Sequence, residues 1–446
     1  MSDFIDRPKY LCALGGAIAT LTNLPRVVPI LHAAAGCGGN LGIALNGAAG
    51  YLGSGYCGGL ALPSSNVVEH EVVFGGEKRL KEQIENTLKI MDGDLYVVVT
   101  GCMVDMIGDD IHSVVKNLSS PDKPILALNT GGFKGTSFKG YELVLQTLFR
   151  EYVKKSVRKK RNTVNLWGIV PAQDVFWEGN LVALKALLNK LGVRVNTFFA
   201  PGETLSNLRN AASASLNLVV SEAYGVEAAK VFEEVHGVPF VTLPFPIGDH
   251  GTERFLRLAG KALQASADTV EEVIRGERAH YYNYVERIAD IYNDIELQRY
   301  AVIVADANYA PALARFAADD LGWLPELVVI PDLLDEERQA QVLKGFDGFK
   351  SGLKPKVAFD TNVCNVEKHL REHWPAKLGQ RYVDSFSPAF VLGSVFEREL
   401  AEKLGAPHLS VSFPISNRVV LDRTYAGYAG GLRLIEDIFS SLVAVR

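Results

Sequence analysis

The sequence predicts an α/β fold built as three Rossmann-like units, each a parallel sheet flanked by helices. Two observations carry this. Short, near-continuous apolar runs of about five residues recur along the chain, as expected for parallel strands covered on both faces. They alternate with amphipathic stretches of helical period. The length of 446 residues, 48% hydrophobic and 22% charged, is enough to bury several cores.

The strand candidates, in order, are Leu95–Val99, Ile125–Leu128, Val164–Ile169, Leu216–Val220, Phe240–Leu243, Ala301–Ala305, Leu327–Ile330, Lys356–Phe359 and Leu409–Phe413. Helical periods fall at Asn180–Leu191, Val226–Val235, Tyr309–Leu321 and Glu397–Leu404. The basic run Lys154–Arg161 closes a first unit and reads as a solvated helix end. A charged helical stretch, about Asp268–Arg299, precedes the third. The units are therefore 1–160, a cluster-binding α/β domain by the cysteines below, then 161–295 and 296–446.

Composition excludes several classes. Lys+Arg 46 against Asp+Glu 51 gives a net charge of −5, which disfavours sequence-independent nucleic-acid binding. The N-terminus has no apolar signal core, and no uncharged apolar run reaches membrane-spanning length. A soluble, cytoplasmic protein is expected, with no membrane partner. Five cysteines are too few for a disulfide scaffold in so long a chain.

Four of those cysteines, Cys12, Cys37, Cys57 and Cys102, fall in the first quarter. Cys12, Cys37 and Cys102 lie beside glycines, where backbone can approach a bulky group. Cys102 follows a strand candidate and opens a helix, a place that favours a thiolate. Thiolates beside exposed N–H groups suit an iron–sulfur cluster. The competing reading is three small buried hydrophobes.

The surrounding motifs resemble the component 1 (dinitrogenase) family of nitrogenases and nitrogenase-like reductases. They are His32-Ala-Ala-Ala-Gly-Cys37, Val73-Phe-Gly-Gly76, Cys102 with Ile107-Gly-Asp-Asp110, Gly132-Phe-Lys-Gly135 and Gly140-Tyr141. Trp177-Glu-Gly-Asn180 resembles the second unit's G-N turn. Phe245-Pro-Ile-Gly248 with Thr252 and Phe413-Pro-Ile-Ser-Asn-Arg418 resemble stretches of the family's β chains. The α-type chain would carry a Cys where Ser221 stands and a His near the C-terminus, and no His follows His408. The resemblance therefore implies a β-type subunit without a catalytic cofactor of its own.

It further implies that Cys12, Cys37 and Cys102 supply half of a P-cluster-type [8Fe-7S] group shared with an α-type chain in an α2β2 heterotetramer. A [4Fe-4S] cluster is the alternative. An ATP-hydrolysing [4Fe-4S] iron protein would dock near Met106 and Ile107, on a helix expected over Met103–Asp110. The family's β-chain serine ligand is absent, since its position reads Gly132. Cys57 is a possible additional ligand, in the glycine-rich loop Gly50–Gly59. That loop resembles methylthio-alkane reductases, which cleave C–S bonds. A nitrogenase β chain, a tetrapyrrole reductase subunit and a non-catalytic cofactor-assembly scaffold are the alternatives. Cys364 with His369 is a poor metal pair, because an i,i+5 spacing does not share a helix face. His236 and His250 read as loop histidines, and Asp109 and Asp110 as a solvated helix surface.

Overall fold

Twelve strands form three wholly parallel sheets in the computed structural model, which describes residues 5–51, 61–294, 297–374 and 386–443. The first sheet holds β1 (Val27–His32), β2 (Leu95–Thr100) and β3 (Ile125–Leu128), in that order. The second holds β4 (Lys160–Trp167), β5 (Arg194–Asn196), β6 (Ala214–Val219) and β7 (Phe240–Thr242), ordered β5-β4-β6-β7. The third holds β8 (Tyr300–Val304), β9 (Leu324–Ile330), β10 (Lys356–Phe359), β11 (Ala389–Gly393) and β12 (His408–Ser410), ordered β10-β9-β8-β11-β12.

β1, β5 and β11 lie outside the strand candidates. Pro29 interrupts the run of β1, and proline argues against a central strand. β1 sits beside β2 alone among the named strands, so the missing N–H is tolerated. β5 is three residues long and carries Arg194 and Asn196, so no apolar run marks it. The basic run is not a helix end. Helix ends at Glu151, and Lys160 and Arg161 open β4. The expected helix Tyr309–Leu321 is α-helical over Tyr309–Arg315 and continues as a π-turn over Phe316–Asp320.

The helices of the first unit are α1 (Ala13–Thr22), α2 (Ala35–Ala48), α3 (Glu69–Phe74), α4 (Glu77–Ile90), α5 (Cys102–Ile107), α6 (Ile111–Leu118) and α7 (Ser137–Glu151). Side-chain alternation along each strand divides them between two faces. Leu95, Val97 and Val99 share a core with α1 and α7 residues such as Ile18 and Leu145. Tyr96 and Val98 pack instead with Leu80 and Ile84 of α4 and Val115 of α6. The first core runs on through the second and third sheets. The C-terminal helix Gly427–Val443 returns to the second sheet's helices, where Gly431 approaches Gly248 so closely that a Cβ would lie 2.5 Å from its Cα. Among the described residues no helix is long and apolar enough to cross a membrane.

Candidate metal centre

The carboxyl ends of β1 and β2 and the turn after β3 bring three cysteines into one region, each at a helix N-terminus. Cys12 is the N-cap of α1, with extended backbone (φ −74°, ψ 173°). Cys37 lies in the first turn of α2, and Cys102 is the first residue of α5. Helix N-termini offer free N–H groups and the positive end of the helix dipole, which suit an anionic group. Burial, then the neighbouring Cys102 and Cys12 sulfurs, push the Cys37 thiol up. The three thiols therefore lie in one another's field, and a cation between them would relieve their mutual repulsion.

The turn after β3 closes the site. Gly132 donates its N–H to Cys102 Sγ at 3.0 Å. A Cβ on Gly132 would lie 3.1 Å from Cys102 Sγ and 3.4 Å from Cys12 Sγ, so this glycine keeps the space beside both sulfurs clear. Ala13 N–H bonds Gly135 O at 2.8 Å and Ser137 N–H bonds Leu11 O at 2.7 Å, which fixes the Cys12 segment to the same turn. Cys12 and Cys37 are half-buried and Cys102 is exposed. Among the described residues no three His, Cys, Asp or Glu side chains come together tightly enough for a single metal ion. Donor chemistry, clearance at Gly132 and openness all fit an iron–sulfur cluster completed from outside this chain.

Gly16 and Gly140 serve packing. A Cβ on Gly16 would fall 1.9 Å from Ser137 O, and one on Gly140 would fall 2.0 Å from Ala13 O, so α1 and α7 touch backbone to backbone. Gly36 and Gly39, beside Cys37, meet nothing within 4 Å.

Residues 12–443 match the family described as nitrogenase component 1 type oxidoreductase. The chain belongs to that family. The molybdenum-iron protein beta chain of Sinorhizobium fredii (strain NBRC 101917 / NGR234) is 25% identical over 98% of this chain and 83% of the relative. The beta chain of Azotobacter vinelandii is 22% identical over 98% of this chain and 84% of its own length. The alpha chain of Methanothermobacter thermautotrophicus is 24% identical over 85% of this chain and 75% of its own length. The chain is thus β-chain-like in how far the match extends. Among solved structures, "Nitrogenase Cp1 at pH 6.5" superposes with a TM-score of 0.80 at 20% identity, covering 100% of this chain and 94% of that one.

His32, the Val73–Gly76 stretch and the Ile107–Asp110 stretch meet in space. His32 is fully buried; Nδ1 lies 2.8 Å from Ser65 Oγ and Nε2 lies 3.0 Å from Asp109 Oδ2. Burial outweighs the Asp109 carboxylate and lowers the imidazole's proton affinity. Gly76 N–H bonds both Asp109 oxygens at 3.0 Å. Asp109 is therefore a buried latch rather than a solvated helix residue. The helix expected over Met103–Asp110 stops at Ile107, because Gly108 takes the left-handed conformation (φ 77°) and Asp110 N-caps α6.

Met106 is 71% exposed and Ile107 half-buried. Ile43 of α2, Val73 and Phe74 of α3 and Phe133 beside Gly132 are also exposed, so elements that carry the thiols, and others of the first unit, present apolar side chains to solvent. Cys57 lies outside the described residues. Cys364 and His369 do not form a metal pair; His369 bonds Asp360 at 2.8 Å. His236 ends a helix and bonds Phe149 O, and His250 lies within helix Gly248–Leu263 and pairs with Asp320, so neither is a loop histidine. Ser221 Oγ accepts the N–H groups of Ala223 and Tyr224, closing a turn. Gly179 and Asn180 lie in helix Trp177–Asn189, not in a turn, and Asn180 Oδ1 accepts the N–H groups of Tyr425 and Ala426.

Sequence reasoning missed Asp105. Its carboxylate lies one helical turn after Cys102 and gathers donors from the β2 and β3 ends. Burial acts to raise its proton affinity, but hydrogen bonds from Asn129, Thr100 and Gly131, with Lys134 nearby, hold it below the usual carboxylate range. The signal was available as an acid at i+3 from a cysteine on one helix face.

Proposed function

We propose that this chain is the β-type subunit of a nitrogenase-like reductase that relays electrons rather than binding substrate. Cys12, Cys37 and Cys102 hold half of a P-cluster-type [8Fe-7S] cluster, and a homologous α-type subunit supplies the other half and the catalytic cofactor. The observation that carries this reading is the approach of three thiols, each at a helix N-terminus, with the clearance at Gly132 beside the Cys12 and Cys102 sulfurs. When bound, the cluster supplies one-electron transfer between an external donor and the α chain. This chain's residues bind it through sulfur, stabilise the sulfur charge through helix ends and the Gly132 N–H, and leave one side open to the partner.

The exposed apolar side chains at Ile43, Val73, Phe74, Met106 and Phe133 suit burial in protein interfaces. They support an α2β2 assembly and docking of an ATP-hydrolysing [4Fe-4S] iron protein over Met106 and Ile107. For substrate we assign methylthio-alkanes, cleaved reductively at the C–S bond, on the Gly53–Gly59 sequence. Dinitrogen reduction is the second reading, favoured by the likeness to molybdenum-iron beta chains.

Anaerobic co-purification with the α-type chain tests this. About eight irons per αβ pair beyond the catalytic cofactor, with turnover of a methylthio-alkane, are expected. A colourless, iron-free complex overturns the relay; ammonia formation with an inert methylthio-alkane selects the second substrate.

A further inference from the structure

Four donors converge on the Asp105 carboxylate, whose side chain is 4% exposed. Oδ1 accepts Thr100 Oγ1–H at 2.5 Å and Asn129 Nδ2–H at 2.8 Å. Oδ2 accepts Gly131 N–H at 2.9 Å and lies 3.3 Å from Lys134 Nζ. An ionised carboxylate is an acceptor at both oxygens, so it satisfies all four donors. The next amide, Gly132 N–H, is the one on Cys102 Sγ. Successive N–H groups of one turn therefore point at a carboxylate and a sulfur that share one face of α5, three residues apart.

We propose that Asp105 is a positioning residue: it clamps the Asn129–Gly135 turn onto α5 and so holds the Gly132 N–H on the Cys102 sulfur. The inference rests on the reading of Cys102 as a cluster ligand. If Gly131 leaves Asp105, Gly132 is carried off the sulfur with it. The fold itself has other ties at this point. Thr100 and Thr130 exchange hydrogen bonds, Thr100 N–H to Thr130 Oγ1 at 3.1 Å and Thr130 N–H to Thr100 Oγ1 at 2.9 Å. The turn also keeps its backbone bonds to the Cys12 segment. Loss of the clamp should therefore change the cluster's surroundings before it unfolds the unit.

Asp105→Asn turns an NH2 group towards one pair of donors while keeping the volume. The test uses the anaerobically purified complex and reads EPR line positions, the rate of iron loss to a ferrous chelator, and the unfolding temperature. Outer partners of metal ligands commonly change metal retention by about 10–100-fold. The D105N complex should lose iron at least about tenfold faster than the parent, with shifted EPR lines and an unfolding temperature within a few degrees. Parent EPR lines and a parent rate of iron loss overturn the proposal, whether or not the unfolding temperature falls. If D105N does not assemble, Asn129→Ala and Lys134→Met each remove a single donor. Both should accelerate iron loss, and no change in either overturns the proposal. Cys102→Ala separates this inference from its basis. Cys102→Ala leaves no donor atom in place of the sulfur: full iron in Cys102→Ala defeats both, whereas iron loss there beside an unaltered D105N complex defeats the clamp alone.

Discussion

Gly16→Ala should damage this protein far more than its chemistry suggests, because the methyl has nowhere to go. Its Cβ would fall 1.9 Å from Ser137 O and 2.5 Å from Ser137 C and Cα, all backbone, where real Cβ contacts essentially never come under 3.0 Å. No side chain can rotate away, so α1 and α7 must separate by roughly 1 Å, which places the cost near the upper end of overpacking, about 3 kcal/mol. α1 carries Cys12 at its first turn, so the same shift moves a thiol away from the Gly132 turn. Gly276, in helix Ala267–Val285, meets nothing within 4 Å. There the same substitution should stabilise by up to about 1 kcal/mol through helix propensity. Urea unfolding of the purified protein reads the difference, and iron content reads the effect on the site. Equal small changes in stability for Gly16→Ala and Gly276→Ala would refute the close-packing argument.

Two further predictions concern charge. Burial, with Asp306 nearby, pushes the Asp174 carboxyl up to about 7. A carboxyl raised above its unfolded value of about 3.9 contributes stability that is full below about pH 4 and is lost as pH rises through about 7. Asp174→Asn removes that dependence, so its deficit against the parent should shrink by roughly 2 kcal/mol between about pH 5 and pH 7; a constant deficit in unfolding free energy contradicts the assignment. Met106→Asp places a charge in an exposed apolar patch, so iron-protein-dependent turnover should fall by about tenfold or more while the EPR signal survives. Equal loss of both would make α5 a structural support rather than a docking face.

The parallel α/β architecture was legible because buried strands such as Leu95–Thr100 and Ile125–Leu128 are unbroken apolar runs. β1 was not, because Pro29 breaks its run and its pairing with β2 is a long-range fact. Cys102 was legible as the first residue of a helix, since it follows a strand directly. The convergence of Cys12, Cys37 and Cys102 was not, because it depends on a turn near residue 132 that no local period encodes. The glycines beside the cysteines suggested room for a bulky group, yet Gly16 serves helix packing, and among the described glycines it is Gly132 that keeps the space beside two sulfurs. Asp109 looked solvated because adjacent acids usually are; Gly108 ends the helix and turns Asp109 inward onto Gly76 and His32. Asp105 was missed although it stands three residues after Cys102 in the same helix, because the donors that bury its charge come from the ends of β2 and β3.

The central claim is that three particular thiols of this chain hold an iron–sulfur cluster. Iron and sulfide counting with EPR on anaerobically purified complexes of Cys12→Ala, Cys37→Ala, Cys102→Ala and, as the control, Cys364→Ser tests it most directly. The first three should lose most of the interfacial iron and its EPR signal, and Cys364→Ser should match the parent, because Cys364 lies in the short helix Val363–Asn365, which packs against helix Val366–His373 of the third unit. Parent iron content and parent EPR lines in any one of the first three would contradict the account.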